Sequence, residues 1–130
     1  MRENTSTIEA RFFLYEEYQG QCQVTGKTFP MASGKNYFVA VSLVSRLGLE
    51  YLNNPGNMLC LSAESAAKFM HASFEWLDDM ETKIQQFRAQ RAGGNLQDRQ
   101  MHIRLAGQEE TITWTEKHFM RLISLWKCAD

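Results

Sequence analysis

At 130 residues the chain suits one domain, which buries roughly two-thirds of its unfolded surface and so needs no disulfide or metal staple to hold a core. Fourteen Lys plus Arg against fifteen Asp plus Glu give a formal net charge of −1, which excludes a global basic field that would draw the chain to nucleic acid. Three widely spaced cysteines, Cys22, Cys60 and Cys128, an opening MRENTSTIEARFF without signal features and the lack of a bilayer-length apolar run predict a reduced, cytoplasmic setting and no membrane partner.

In chain order, the first predicted element is a helix. Ser6 and Glu9 fit a capping box, Ile8, Phe12 and Tyr15 recur at helical spacing as a core-facing aromatic stripe, and Gly20 ends the run. From Gln21 to Phe29, Thr25-Gly26-Lys27 reads as a tight turn between short strands, with Cys22 just ahead of it. Aromatic and β-branched residues make Tyr37 to Val44 a strand. Asn54-Pro55-Gly56-Asn57 is a turn, and Met58 to Leu61 is a second strand. Ser62 then caps a helix through Ala63, Ala66, Ala67 and Phe69 to His71.

Beyond it, Phe74, Leu77, Met80, Ile84 and Phe87 step by three or four. This predicts one amphipathic helix from Ser73 to about Arg91, stopped by Gly93-Gly94, with Arg88 and Arg91 suiting its negative end. Met101–Leu105 and Thr111–Thr113 form a predicted hairpin around Ala106-Gly107-Gln108-Glu109. Thr113 with Glu116 is a capping-box candidate for a last helix whose Phe119, Leu122, Ile123 and Trp126 share a face. With no repeat, low-complexity tract or long linker, the expectation is a single α+β domain over 1–130, a β-β-α segment flanked by helices and a terminal hairpin.

The stretches YEEYQGQCQVTGKTFP, GKNYFVAVSLVSR and NNPGNMLCLSAESAAKF together resemble the HNH, or ββα-metal, endonuclease family in order and spacing. The closing RLAGQEETITWTEKHFMRLISL is similar to the strand-turn-strand-helix that often follows such domains. The resemblance implies an HNH-like core over about 15–70 and a hairpin-helix extension over about 73–130. Members of the family fold a β-hairpin and a helix around a divalent ion that polarises the scissile phosphate, and many carry a structural zinc on two cysteine pairs.

Residue by residue, the resemblance implies that the chemistry has been replaced. The zinc positions hold Cys22, Thr25, Ser62 and Ser65. One thiol and three neutral hydroxyls are a poor donor set for a tetrahedral zinc, so no cofactor is expected. The histidine pair of the first strand, general base and metal ligand in the family, falls on Val41 and Ser42. The middle asparagine matches Asn57, and the last histidine falls on Ala66 or neighbouring Ser65. Neither Val nor Ser can take a proton from the attacking water or hold the ion unaided. Burial by Phe12, Phe13, Tyr15, Phe38, Phe69, Phe74, Trp76, Phe87, Trp114, Phe119 and Trp126 is expected to replace the zinc staple, at about 1.5–3 kcal/mol per large apolar side chain.

The implied function is a catalytically inactive HNH-like domain used in bacterial DNA metabolism, mobile elements or phage defence. A retained DNA-binding role would use Lys27, Lys35, Arg46 and Lys68, whereas the acids Glu75, Asp78, Asp79 and Glu81 cluster just after the motif. A protein-assembly role, including self-association, would use exposed aromatic and Met side chains. The alternative is a divergent metal-dependent endonuclease with a relocated site drawing on Asp98, His102 or Glu116. His71, His118, Cys60 and Cys128 lack metal-ligand spacing, and Cys60, between two leucines, reads as a small core residue.

Overall fold

A computed structural model describes residues 5–42, 55–89 and 99–129. Among them the chain is a mixed α+β protein with four helices and two small antiparallel sheets. Helix α1 (Thr5–Tyr18) leads to strands β1 (Val39–Ser42) and β2 (Met58–Leu61), then helix α2 (Ala63–His71). Strand β3 (Phe74–Trp76), helix α3 (Met80–Ala89), strands β4 (Gln100–Leu105) and β5 (Gln108–Thr113), and helix α4 (Glu116–Ala129) complete the chain. None of these helices is long and apolar enough to cross a membrane.

The first sheet pairs β1 with β2, Val39 opposite Leu61 and Ser42 opposite Met58. All four residues of β2 are buried, and they alternate between two cores. Leu59 and Leu61 join the larger one with Trp114, Phe119, Ile103 and Leu122. Met58 and Cys60 join the smaller one with Ala10, Phe13, Leu14 and Phe38. A strand covered on both faces therefore reads as a continuous apolar run, with its period of two hidden in the identity of the neighbours.

The second sheet has the order β3-β4-β5. Met101, Ile103 and Leu105 of β4 point inward while His102 and Arg104 point out, the alternation of a sheet with one wet face.

Several predicted boundaries are corrected. Ser6 lies inside α1, which already begins at Thr5, so Ser6 is not its cap. The buried stripe of α1 is Ala10, Phe13 and Leu14, while Ile8 and Phe12 are exposed. The helix carries two apolar stripes, and the residues at i, i+3 and i+4 from Ala10 take the core. Gln21 to Phe29 is turn and irregular backbone instead of two short strands, because the amides of Cys22, Val24, Thr25, Gly26 and Lys27 bond within the turn.

The predicted helix from Ser73 is divided. Phe74-Glu75-Trp76 pairs with Leu105, Arg104 and Ile103 as β3, which suits its aromatic side chains. Asp79 then caps α3, accepting the Thr82 amide at 2.9 Å and the Thr82 hydroxyl at 2.8 Å. The β4–β5 turn is only Ala106-Gly107, both at positive φ (53° and 81°), the two-residue geometry that matches strand twist. Helix α4 is capped by Thr115 and not Thr113, the Thr115 hydroxyl accepting the His118 amide at 3.2 Å. The predicted Val44, Arg91, Gly93 and Gly94 positions, and the side chains of Trp126 and Cys128, lie outside the described residues.

Helices α1 and α4 are tied at their facing ends. The Tyr18 hydroxyl accepts the Thr115 amide at 3.1 Å and lies 2.6 Å from His118 Nδ1. Thr115 also bonds the Glu17 carboxylate. His118, fully buried beside Phe13 and Tyr18, is a packing residue of this junction.

Candidate functional site

The turn after α1 is built around the Cys22 sulfur. The amide N–H groups of Val24 and Thr25 point at Sγ at 3.4 and 3.5 Å, the Gly26 amide donates to the Cys22 carbonyl at 2.8 Å, and the Cys22 amide donates to Lys27 at 3.0 Å. Gly26 closes the loop at φ +75°, a left-handed conformation that costs glycine little.

Helix α2 approaches the same sulfur with its first turn. Ser62 is its N-cap, the hydroxyl accepting the Ser65 amide at 3.3 Å. Hydrogen bonds from the Thr25 and Ser65 side chains and from the Ser62 and Thr25 backbone reach the Cys22 thiol. Cys22, Thr25, Ser62 and Ser65 therefore converge.

Burial alone would push the Cys22 thiol up. The hydrogen bonds from Thr25, Ser65 and Ser62 outweigh it and bring the thiol down to about 7, since donors aimed at sulfur favour the thiolate. Cys60 shows the opposite balance. Burial, then the nearby Cys22 charge, push it up to about 12 against a smaller pull from Arg11.

A structural zinc does not fit this cluster. Three of the four side chains are neutral hydroxyls, two of them bonded to the Cys22 sulfur and the third capping α2, whereas the metal needs four N or S ligands. The described residues contain no group of three or more His, Cys, Asp or Glu that could hold a metal ion.

The positions that the family resemblance assigns to catalysis lie beside this turn and on β1. Val41 and Ser42 end β1, opposite Leu59 and Met58. Asn57 is fully buried, and its amide donates to the Ser42 hydroxyl at 3.1 Å. Ala66 is buried on α2 in the larger core, where its amide closes the first helical turn on Ser62. Ser42 and Asn57 are thus brought together, while Val41 packs against the core.

Of the four basic candidates, the three described ones stand on separate segments of the chain. Lys27 is exposed on the Cys22 turn and Lys35 is exposed beyond Gly34. Lys68 pairs with Glu64 on α2 at 3.3 Å, and Arg46 lies outside the described residues. Of the residues considered for a relocated metal site, Asp98 is also outside them. His102 is paired with Asp78 at 2.8 Å on the sheet surface, and Glu116 is an exposed residue in the first turn of α4.

A second feature escaped the sequence reading. A groove of about 550 Å³ runs between α1 and residues 31–38, lined by Ile8, Phe12, Tyr15, Met31, Tyr37 and Phe38 and edged by Arg11 and Lys35. The Arg11 guanidinium sits over the Phe38 ring at 4.5 Å. The signal for it was present as the Ile8, Phe12, Tyr15 spacing, which marks an apolar face without telling which partner covers it.

Comparison of the chain with protein-family models, with curated proteins and with solved structures finds no match to any of them.

Proposed function

We propose that this protein is a ββα domain of the HNH type whose metal and zinc positions have been replaced and which serves as a protein-assembly module without nuclease activity. The observation that carries the reading is the meeting of Thr25, Ser62 and Ser65 on Cys22. Residues from a turn and a helix start, placed by resemblance at zinc positions, meet at one sulfur, Thr25 and Ser65 through their hydroxyls and Ser62 through its backbone. The antiparallel β1–β2 pair followed by α2, and the Asn57–Ser42 contact, support the same reading. Hydrogen bonding and burial take over the pinning role of the ion. Assembly is preferred to DNA binding because the net charge of −1 supplies no basic field, whereas α1 presents an apolar groove among the described residues.

The test restores the ligands. The variant carrying Thr25→Cys, Ser62→Cys and Ser65→Cys is expected to bind one cobalt(II) with the charge-transfer absorption of a tetrathiolate, whereas the parent chain gives none. A folded triple variant without that absorption would show that the four positions are not a former zinc site. The parent chain is also expected to leave supercoiled plasmid intact in Mg²⁺ or Mn²⁺. Metal-dependent nicking that is lost on Asn57→Ala would favour the endonuclease with a relocated centre.

A further inference from the structure

The groove on α1 and an acidic segment elsewhere on the chain have matching chemistry. On the groove side, Ile8, Phe12 and Met31 are 56%, 67% and 40% exposed. Three large apolar side chains from two walls of one groove are a costly surface to leave in water, at about 25 cal/mol per Å². Arg11 and Lys35 stand at the edge, with Glu16 as the opposing charge.

The acidic segment is Glu75-Trp76-Leu77-Asp78-Asp79-Met80-Glu81, from the end of β3 into α3. It exposes Trp76 and Leu77 (37% and 36%) among four carboxylates. The segment is already shaped. The Leu77 amide donates to His102 at 3.0 Å, the Trp76 ring stands edge-on to Phe74 at 4.9 Å, and Asp79 caps α3. A rigid strand-to-helix corner loses little conformational freedom on docking. Glu75 and Asp78 make surface pairs with Arg104 and His102, contacts weak enough to be shared with an incoming cation. Glu81 is exposed in the first turn of α3.

We propose that the α1 groove receives the Glu75–Glu81 segment of a second copy of this chain, Trp76 and Leu77 entering between Phe12 and Met31 while the carboxylates face Arg11 and Lys35. Charge complementarity selects this occupant. A nucleic acid would find two cations among the described residues at the groove, offset by Glu16, and would be repelled by the acidic corner. Groove and corner lie on different elements, so two copies either exchange both contacts about a two-fold axis or add head to tail into rings or open chains. The proposal rests on the assembly reading and gives it a partner.

Sedimentation velocity of the intact chain tests it. The weight-average mass is expected to rise with concentration and to fall as salt is added. A groove variant, Arg11→Glu with Lys35→Glu, and a corner variant, Glu75→Lys with Glu81→Lys, are each expected to weaken self-association at least about tenfold. An equimolar mixture of the two is expected to regain it, because the unaltered groove then meets the unaltered corner and the substituted positions of the other pair carry opposite signs. Far-ultraviolet circular dichroism and melting curves check that both variants fold. A parent chain that stays monomeric at every concentration and salt, or a mixture that associates no better than its components, overturns the proposal. So does a groove variant that loses single-stranded DNA binding with its mass distribution unchanged. Each of these leaves the cobalt and plasmid experiments intact as tests of the replaced zinc and catalytic positions.

Discussion

Gln23 and Cys60 are joined by two hydrogen bonds. The Gln23 amide donates to the Cys60 carbonyl at 2.8 Å, and the Cys60 amide donates back to the Gln23 side-chain Oε1 at 2.9 Å. Gln23 repeats the pattern with β5, where its carbonyl accepts the Thr113 amide at 3.0 Å and its Nε2 donates to the Thr113 carbonyl at 2.9 Å. One buried residue outside both sheets thus links β2 to β5 with four polar groups.

Replacing Gln23 with Leu removes the two side-chain bonds and leaves a buried amide and a carbonyl without partners. The expected loss is about 2–4 kcal/mol, since orphaned buried groups lose their desolvation as well as the bond. Urea unfolding checks it, with the midpoint lowered.

The Cys22 thiol gives a pH dependence of defined sign. Its folded value, about 7, is below its ordinary value near 9, so its contribution to stability is fully present above the unfolded value and is lost as pH falls through the folded one. The Cys22 contribution is expected to make the parent chain more resistant to urea at pH 9 than at pH 7, with Cys22→Ala flattening that window. Thiolate ultraviolet absorbance should titrate near neutrality and move upward in Ser65→Ala, which removes a donor to the sulfur.

Gly20 and Gly26 separate two costs of adding a methyl group. Both have positive φ, +81° and +75°, but a Cβ at Gly20 would meet Asn36 Cβ at 2.6 Å while one at Gly26 meets nothing within 4 Å. Gly26→Ala is expected to lose about 1 kcal/mol of backbone strain alone. Gly20→Ala adds a clash between α1 and the 31–38 loop, and its melting temperature should fall further.

Tyr18→Phe tests the α1–α4 junction. The hydroxyl oxygen accepts the Thr115 amide and lies 2.6 Å from His118 Nδ1; the expected arrangement has the phenol hydrogen on that nitrogen and the imidazole proton on Nε2. Burial, the largest influence, also holds the Tyr18 phenol well above its ordinary range. The variant is expected to lose about 1–3 kcal/mol in chemical denaturation. Nitrogen NMR shifts of His118 in the parent should report the Nε2–H tautomer.

Elements whose local chemistry agrees with their long-range contacts were legible from residues alone. Ser62 caps α2 as its side chain suggests, and Met58–Leu61 is a strand at the bounds its apolar run implies. Misreadings arose where two periods overlap. Phe74 and Leu77 fit a helical stripe with Met80, yet β4 offers Phe74 and Trp76 a ladder that local spacing cannot reveal. On α1 both apolar stripes are locally plausible, and only the packing of Phe38 and Met58 selects Ala10, Phe13 and Leu14. For the Cys22 cluster the sequence shows the four residues and their order alone. The sulfur-centred turn and its effect on the thiol depended on backbone amides, which carry no residue identity.

The placement of Cys22 in the larger core and Cys60 in the smaller gives the molecule two internal clocks. Both thiols are buried, so their alkylation is expected to follow the opening of their own side of β2, and two labelling rates time the separate breathing of the two halves. If Gln23 couples those halves, its loss should let the clocks run independently where the intact chain keeps them in step.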